Sequence, residues 1–110
     1  MIIGILQLKF FIRGARSLKE KRQVLRSFKD RTKARYNVSV AEVDYQDNLK
    51  VASLAVVNVG TDTKYLRSVL LEIRKKALMT AGAELASDSI DFVSGELDDD
   101  AYDWEDDKFY

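Results

Sequence analysis

The sequence predicts an α+β domain in which an antiparallel sheet carries two helices on one of its faces. Three observations point there. Ile2 to Ile12 alternates with period two, two later stretches rich in β-branched residues flank an Asp-Asn turn, and two segments repeat their apolar residues at helical spacing.

The first strand is Ile2 to Ile12. Ile2, Leu6, Leu8, Phe10 and Ile12 share one face, with Gln7, Lys9 and Phe11 on the other, as in a half-buried strand. No basic region precedes Met1–Ile12 and no small-residue cleavage site follows it, so it reads as a strand and not a signal peptide. Arg13-Gly14-Ala15-Arg16 links it to the next element.

That element is a basic helix. Ser17 followed by Glu20 is an S-x-x-E capping box, in which Ser17 accepts from the Glu20 N–H and the Glu20 carboxylate reaches back to the N–H of Ser17. Leu18, Val24, Leu25, Phe28 and Tyr36 form the apolar face, and no Gly or Pro interrupts Leu18 to Tyr36.

Val38 to Gln46 is β-rich, and its apolar parity shifts from Val38 and Val40 to Ala41, Val43 and Tyr45. The shift predicts a bulge near Val40–Ala41. Asp47-Asn48 marks a turn, and Lys50 to Val59 returns as the hairpin partner. A second helix opens at Gly60-Thr61-Asp62 with Asp62 as cap, and buries Leu66, Val69, Leu70, Ile73 and Ala77. Arg74, Lys75 and Lys76 complement the dipole of its last turns, and Gly82 supplies a left-handed terminus. A fourth strand is predicted within Ser89 to Leu97. The order β-α-β-β-α-β is the ferredoxin-like split βαβ arrangement.

The 110 residues suit a single domain, predicted over 1–97, followed by a tail over 98–110 predicted to be disordered or loosely docked. Without cysteine there is no disulfide framework or thiol chemistry, and the expected compartment is the cytoplasm. Without histidine, zinc sites and His-based acid–base catalysis are not expected. No run approaches the length of a membrane span.

A formal net charge of zero conceals a polarity. Lys9 to Arg35 holds eleven basic residues and two acids, whereas Glu96 to Lys108 holds eight acids against Lys108. At ~100° per residue, Lys19, Arg22, Arg26, Lys29 and Lys33 fall in a band roughly 80° wide beside the apolar stripe. Arg22–Arg26, Lys29–Lys33 and Arg31–Arg35 are like-charge i,i+4 pairs, each mildly destabilising. The band runs ~21 Å along the helix, a few phosphates of nucleic-acid backbone. A solvated helix whose counter-charge lies elsewhere in the chain is the plain alternative.

The run GARSLKEKRQVL from Gly14 to Leu25, with NVSVAEV from Asn37 to Val43 after it and the strand Met1–Ile12 before it, resembles the YlxP-like family of small bacterial proteins, a domain-of-unknown-function family. The similarity covers about residues 1 to 95, and its most specific part is Arg16, Ser17, Leu18, Lys19, Glu20, Lys21 and Arg22. The resemblance implies the ferredoxin-like fold already read from the pattern. Members often sit among genes for translation initiation and ribosome maturation, which implies an RNA or ribosome context. It implies no catalytic residue, and the acidic, aromatic tail departs from the family.

Three function classes follow. The first is binding to ribosomal RNA, or to a ribosome-associated assembly, through Lys19, Arg22, Arg26, Lys29 and Lys33, with Arg13, Arg16, Lys21 and Arg35 secondary. The third strand has no aromatic residue, so base stacking on the sheet is not expected. The second class is protein interaction: a homodimer through the open sheet face or an edge strand, or the basic helix against an acidic segment such as the tail. The third is phosphate-ester chemistry. Acylphosphatases share the topology, but their longer glycine-rich loop is missing and Asn58 matches their strand asparagine only loosely. The expectation is a non-enzymatic domain with no cofactor, metal, membrane partner or small-molecule ligand.

Overall fold

The computed structural model describes residues 1–95, so the acidic tail lies outside the described residues. The elements are β1 (Ile2–Ile12), α1 (Leu18–Arg35), β2 (Ser39–Asp44), β3 (Val51–Gly60), α2 (Thr63–Ala77) and β4 (Ala83–Ser94). All neighbours in the sheet are antiparallel, in the order β2-β3-β1-β4. This is the ferredoxin-like fold.

The β1–β3 ladder runs from Ile2 opposite Gly60 to Phe11 opposite Val51, and strict period two turns alternate residues of both strands inward. Leu6, Leu8, Phe10 and Ile12 from β1 meet Ala52, Leu54 and Val56 from β3, beneath Leu25 and Phe28 of α1 and Leu70, Ile73 and Ala77 of α2. Phe10 and Phe28 pack edge to face at 5.8 Å between centroids. Gly4 continues the inward row, where a Cβ would collide with Asn58 Oδ1 and crowd Leu70.

Three boundaries differ from expectation. The register shift in β2 lies between Glu42 and Asp44, not at Val40–Ala41. Ala41 and Val43 sit exposed on the open sheet face, so their apolar character says nothing about which side is buried. β4 begins at Ala83, six residues before the predicted start at Ser89. Its first half is small and polar, and Ala86 interrupts the alternation at a bulge where Phe10 pairs Leu85 and Lys9 pairs Ser87. α2 ends at Ala77 with Leu78 as C-cap, so the left-handed Gly82 (φ 81°) shapes the turn into β4 and not the helix terminus.

Candidate nucleic-acid interface

α1 starts where Ser17 takes extended geometry and its Oγ accepts from the Glu20 N–H at 3.2 Å. The Glu20 carboxylate accepts from Arg16 N–H at 2.5 Å, one residue earlier than a strict capping box, so the box closes over the link preceding the helix. The helix buries Lys21, Leu25, Phe28 and Thr32, with Leu18, Val24 and Tyr36 half-buried. Two of the four buried positions are therefore polar. Thr32 Oγ1 donates to the Phe28 carbonyl at 2.8 Å and needs no other partner.

Lys21 departs furthest from expectation. It is 1% exposed, and its ammonium donates to the carbonyls of Tyr45 (2.7 Å) and Asn48 (2.6 Å) while lying 3.5 Å from Glu42 Oε2. It ties α1 to the β2–β3 turn, where Tyr45 adopts φ 62°, and it cannot face a partner. The signal was present: Lys21 stands three residues after Leu18 and four before Leu25, a lone cation on the apolar stripe.

The remaining row is brought together. Arg22, Arg26, Lys29 and Lys33 line a groove of about 320 Å³ between α1 and β2, over Leu25 and Leu54. Asp30 and Glu42 also border it, Glu42 turned toward Lys21. Lys19 is exposed one turn above. Among the described residues, none of these five cations has a carboxylate within 4 Å.

Arg13 is not part of this surface. It pairs with Glu84 of β4, and β4 is the sheet edge opposite β2. Arg16 is exposed on the β1–α1 link, its backbone held by Glu20. Asn58 and the Arg13–Arg16 link do not meet either. Asn58 pairs with Gly4 at one end of β1 and Arg13 follows Ile12 at the other, a separation of roughly 30 Å along the strand. The Asn58 Nδ2 donates to the Leu66 carbonyl at 3.1 Å, a link from β3 to α2.

The open sheet face is apolar at one end. Val59 (64% exposed) and Val93 (52%) stand beside Ile3, which pairs with both. Phe11 is its exposed aromatic on the central strands, and β3 offers none.

Residues 3–90 match the family described as "Protein of unknown function (DUF503)". The "Uncharacterized protein YlxP" of Bacillus subtilis (strain 168) is 37% identical over 60 residues, 54% of this chain; the match spans 65% of that relative's length, just under two thirds. Among solved structures, the de novo designed protein Foldit4 superposes with a TM-score of 0.53 at 10% identity, over 87% of this chain and all of that one, a likeness of fold alone. The de novo designed protein Ferredog-Diesel reaches a TM-score of 0.47 at 14% identity, over 81% of this chain and 83% of its own.

Proposed function

The chain belongs to the DUF503 family of proteins of unknown function, and we propose that it is a non-enzymatic domain that binds ribosomal RNA, free or in a ribosome-associated assembly, through the α1–β2 groove. Its working compartment on this reading is the cytoplasm. The observation that carries it is the row Arg22, Arg26, Lys29 and Lys33 along one groove, without a carboxylate within 4 Å of any of them among the described residues. Like charges at i,i+4 weaken a helix, and with only Asp30 and Glu42 at the border and no ion pair to the row among the described residues, the row favours an anionic partner. Phosphate oxygens suit it: guanidinium groups take them two at a time, and the groove positions a backbone without reading bases. Neutralising four phosphates of a single strand gives a log–log salt slope of about −3.

Co-sedimentation with ribosomal subunits at low and moderate salt tests this. Wild type is expected to pellet and to lose binding steeply with salt, while Arg22→Glu/Arg26→Glu/Lys29→Glu stays in the supernatant. Equal behaviour of the two proteins would remove the groove as the binding surface. The open sheet face around Val59 and Val93 would then be the surface to pursue, as a contact with a second copy or another protein.

A further inference from the structure

The opposite flank of α1 carries a second basic feature that the row of lysines and arginines does not include. Arg31 and Arg35 lie roughly 180° around the helix from that row. They meet Lys76 of α2 around a pocket of about 260 Å³ floored by Phe28, Thr32 and Tyr36. Among the described residues no carboxylate lines it. Arg31 uses Nε on the Ser27 carbonyl at 3.2 Å, which leaves its two terminal nitrogens to point elsewhere. The Arg35 guanidinium lies 5.6 Å from the Tyr36 ring centroid. At the mouth stands Met79, also in the lining and 72% exposed, an apolar side chain with little to cover it. The Tyr36 hydroxyl is buried without a hydrogen-bond partner among the described residues.

These features specify a ligand. Three cations without an acid ask for an anion, and guanidinium groups favour phosphate. An aromatic floor and an exposed thioether ask for a flat, polarisable group to lie between them. Inorganic phosphate would satisfy the cations alone, and an aliphatic chain would satisfy the floor alone. The volume is below the usual drug-sized range, enough for one small planar ligand and little more.

We propose that the pocket between α1 and α2 binds a single nucleotide, its phosphate on Arg31, Arg35 and Lys76 and its base between Tyr36 and Met79. The nucleotide is either free or an unstacked residue of a single RNA strand; in the second form the inference rests on the RNA reading above and adds a base contact to the groove's phosphate contacts. The sheet lacks the aromatic pair on its central strands that ferredoxin-like RNA readers use, and the helix layer supplies a stacking site instead.

The chain has two methionines, Met1 and Met79, so NMR of isotope-labelled methionine methyls reports the pocket with an internal control. The probes are adenosine 5′-monophosphate, octa-adenylate RNA, adenosine and inorganic polyphosphate. Either nucleotide probe is expected to shift Met79 and leave Met1 in place. Affinity is expected to fall about tenfold in Lys76→Gln and in Arg35→Gln, the loss of one charge-assisted hydrogen bond. A shift with the monophosphate assigns a free nucleotide, and a shift with the RNA alone assigns a strand. An unmoved Met79, or a shift reproduced by polyphosphate, overturns the proposal. The groove variant Arg22→Glu/Arg26→Glu/Lys29→Glu is expected to keep the monophosphate shift. Ribosome binding lost with the pocket intact, or the pocket lost with ribosome binding intact, therefore separates the two surfaces.

Discussion

The two helices lie on the same sheet face, yet they are built on different terms. α2 buries Leu66, Leu70, Ile73 and Ala77, an aliphatic stripe without a polar atom, and Arg74 pairs with Asp88 at 2.8 Å. α1 gives Lys21 and Thr32 two of its buried positions and crowds cations along both flanks. α2 is what packing alone selects. α1 accepts polar burial that α2 avoids and carries three like-charge i,i+4 pairs where α2 has none, and such local conflicts concentrate where a protein meets something else.

The comparison breaks or holds first at the core positions. Lys21→Ala strands the Tyr45 and Asn48 carbonyls and the Glu42 carboxylate beneath α1, and is expected to cost about 4 kcal/mol, in the range for breaking a buried charged contact. Leu70→Ala, at a residue with no exposure, is expected to cost about 3 kcal/mol through lost transfer energy and a cavity. Urea unfolding measures both. A Lys21→Ala loss below 1 kcal/mol would mean that water replaces the ammonium, and α1 would then be no more specialised than α2.

The caps sharpen the contrast on a smaller scale. Asp62 Oδ1 accepts from the N–H groups of Lys64 (3.0 Å) and Tyr65 (3.4 Å), and its charge favours the helix N-terminus. Asp62→Ala is expected to cost about 1.5 kcal/mol. Ser17 contributes one neutral acceptor to α1, and Ser17→Ala is expected to cost about 1 kcal/mol. Thermal unfolding of the two variants orders them. A larger loss for Ser17 would show that the Glu20–Arg16 contact depends on the serine and that the α1 terminus is the more cooperative of the two.

Most of the fold was legible because most of it obeys a single period. β1, α2 and the Asp62 cap follow from spacing alone, since each turns one unambiguous face to the core. The edges were harder. The first half of β4 is held by pairing with β1 across a bulge, which composition cannot reveal. Lys21 was read with the other cations because its charge, not its place on the stripe, governed the assignment. The row Arg22–Lys33 was legible as a band, but its position over the β2 edge came only with the fold. The pocket between the helices was hidden for a different reason. It joins Arg31 and Arg35 to Lys76, more than forty residues away in the chain, and Lys76 already had a sufficient explanation at the end of α2.

The smallest expected effect is the most telling about α1. Arg26 lies four residues after Arg22, four before Asp30 and close to Lys29, in a groove whose cations, Arg26 included, lack carboxylates within 4 Å among the described residues. Replacing it with glutamine removes the like-charge interaction with Arg22 and keeps a good helix former in place. If the row is a solvated face balanced through Asp30, Arg26→Gln loses a favourable pair and the protein is slightly destabilised. If the row is retained for an external anion, the variant gains about 0.3 kcal/mol in stability at low salt. The gain then shrinks as salt screens the repulsion, while retention on ribosomal subunits weakens. Denaturant unfolding at two ionic strengths, on replicates tight enough to resolve that difference, gives the sign. Opposite signs for stability and binding at one residue would be the mark of a surface held against the preference of its own helix.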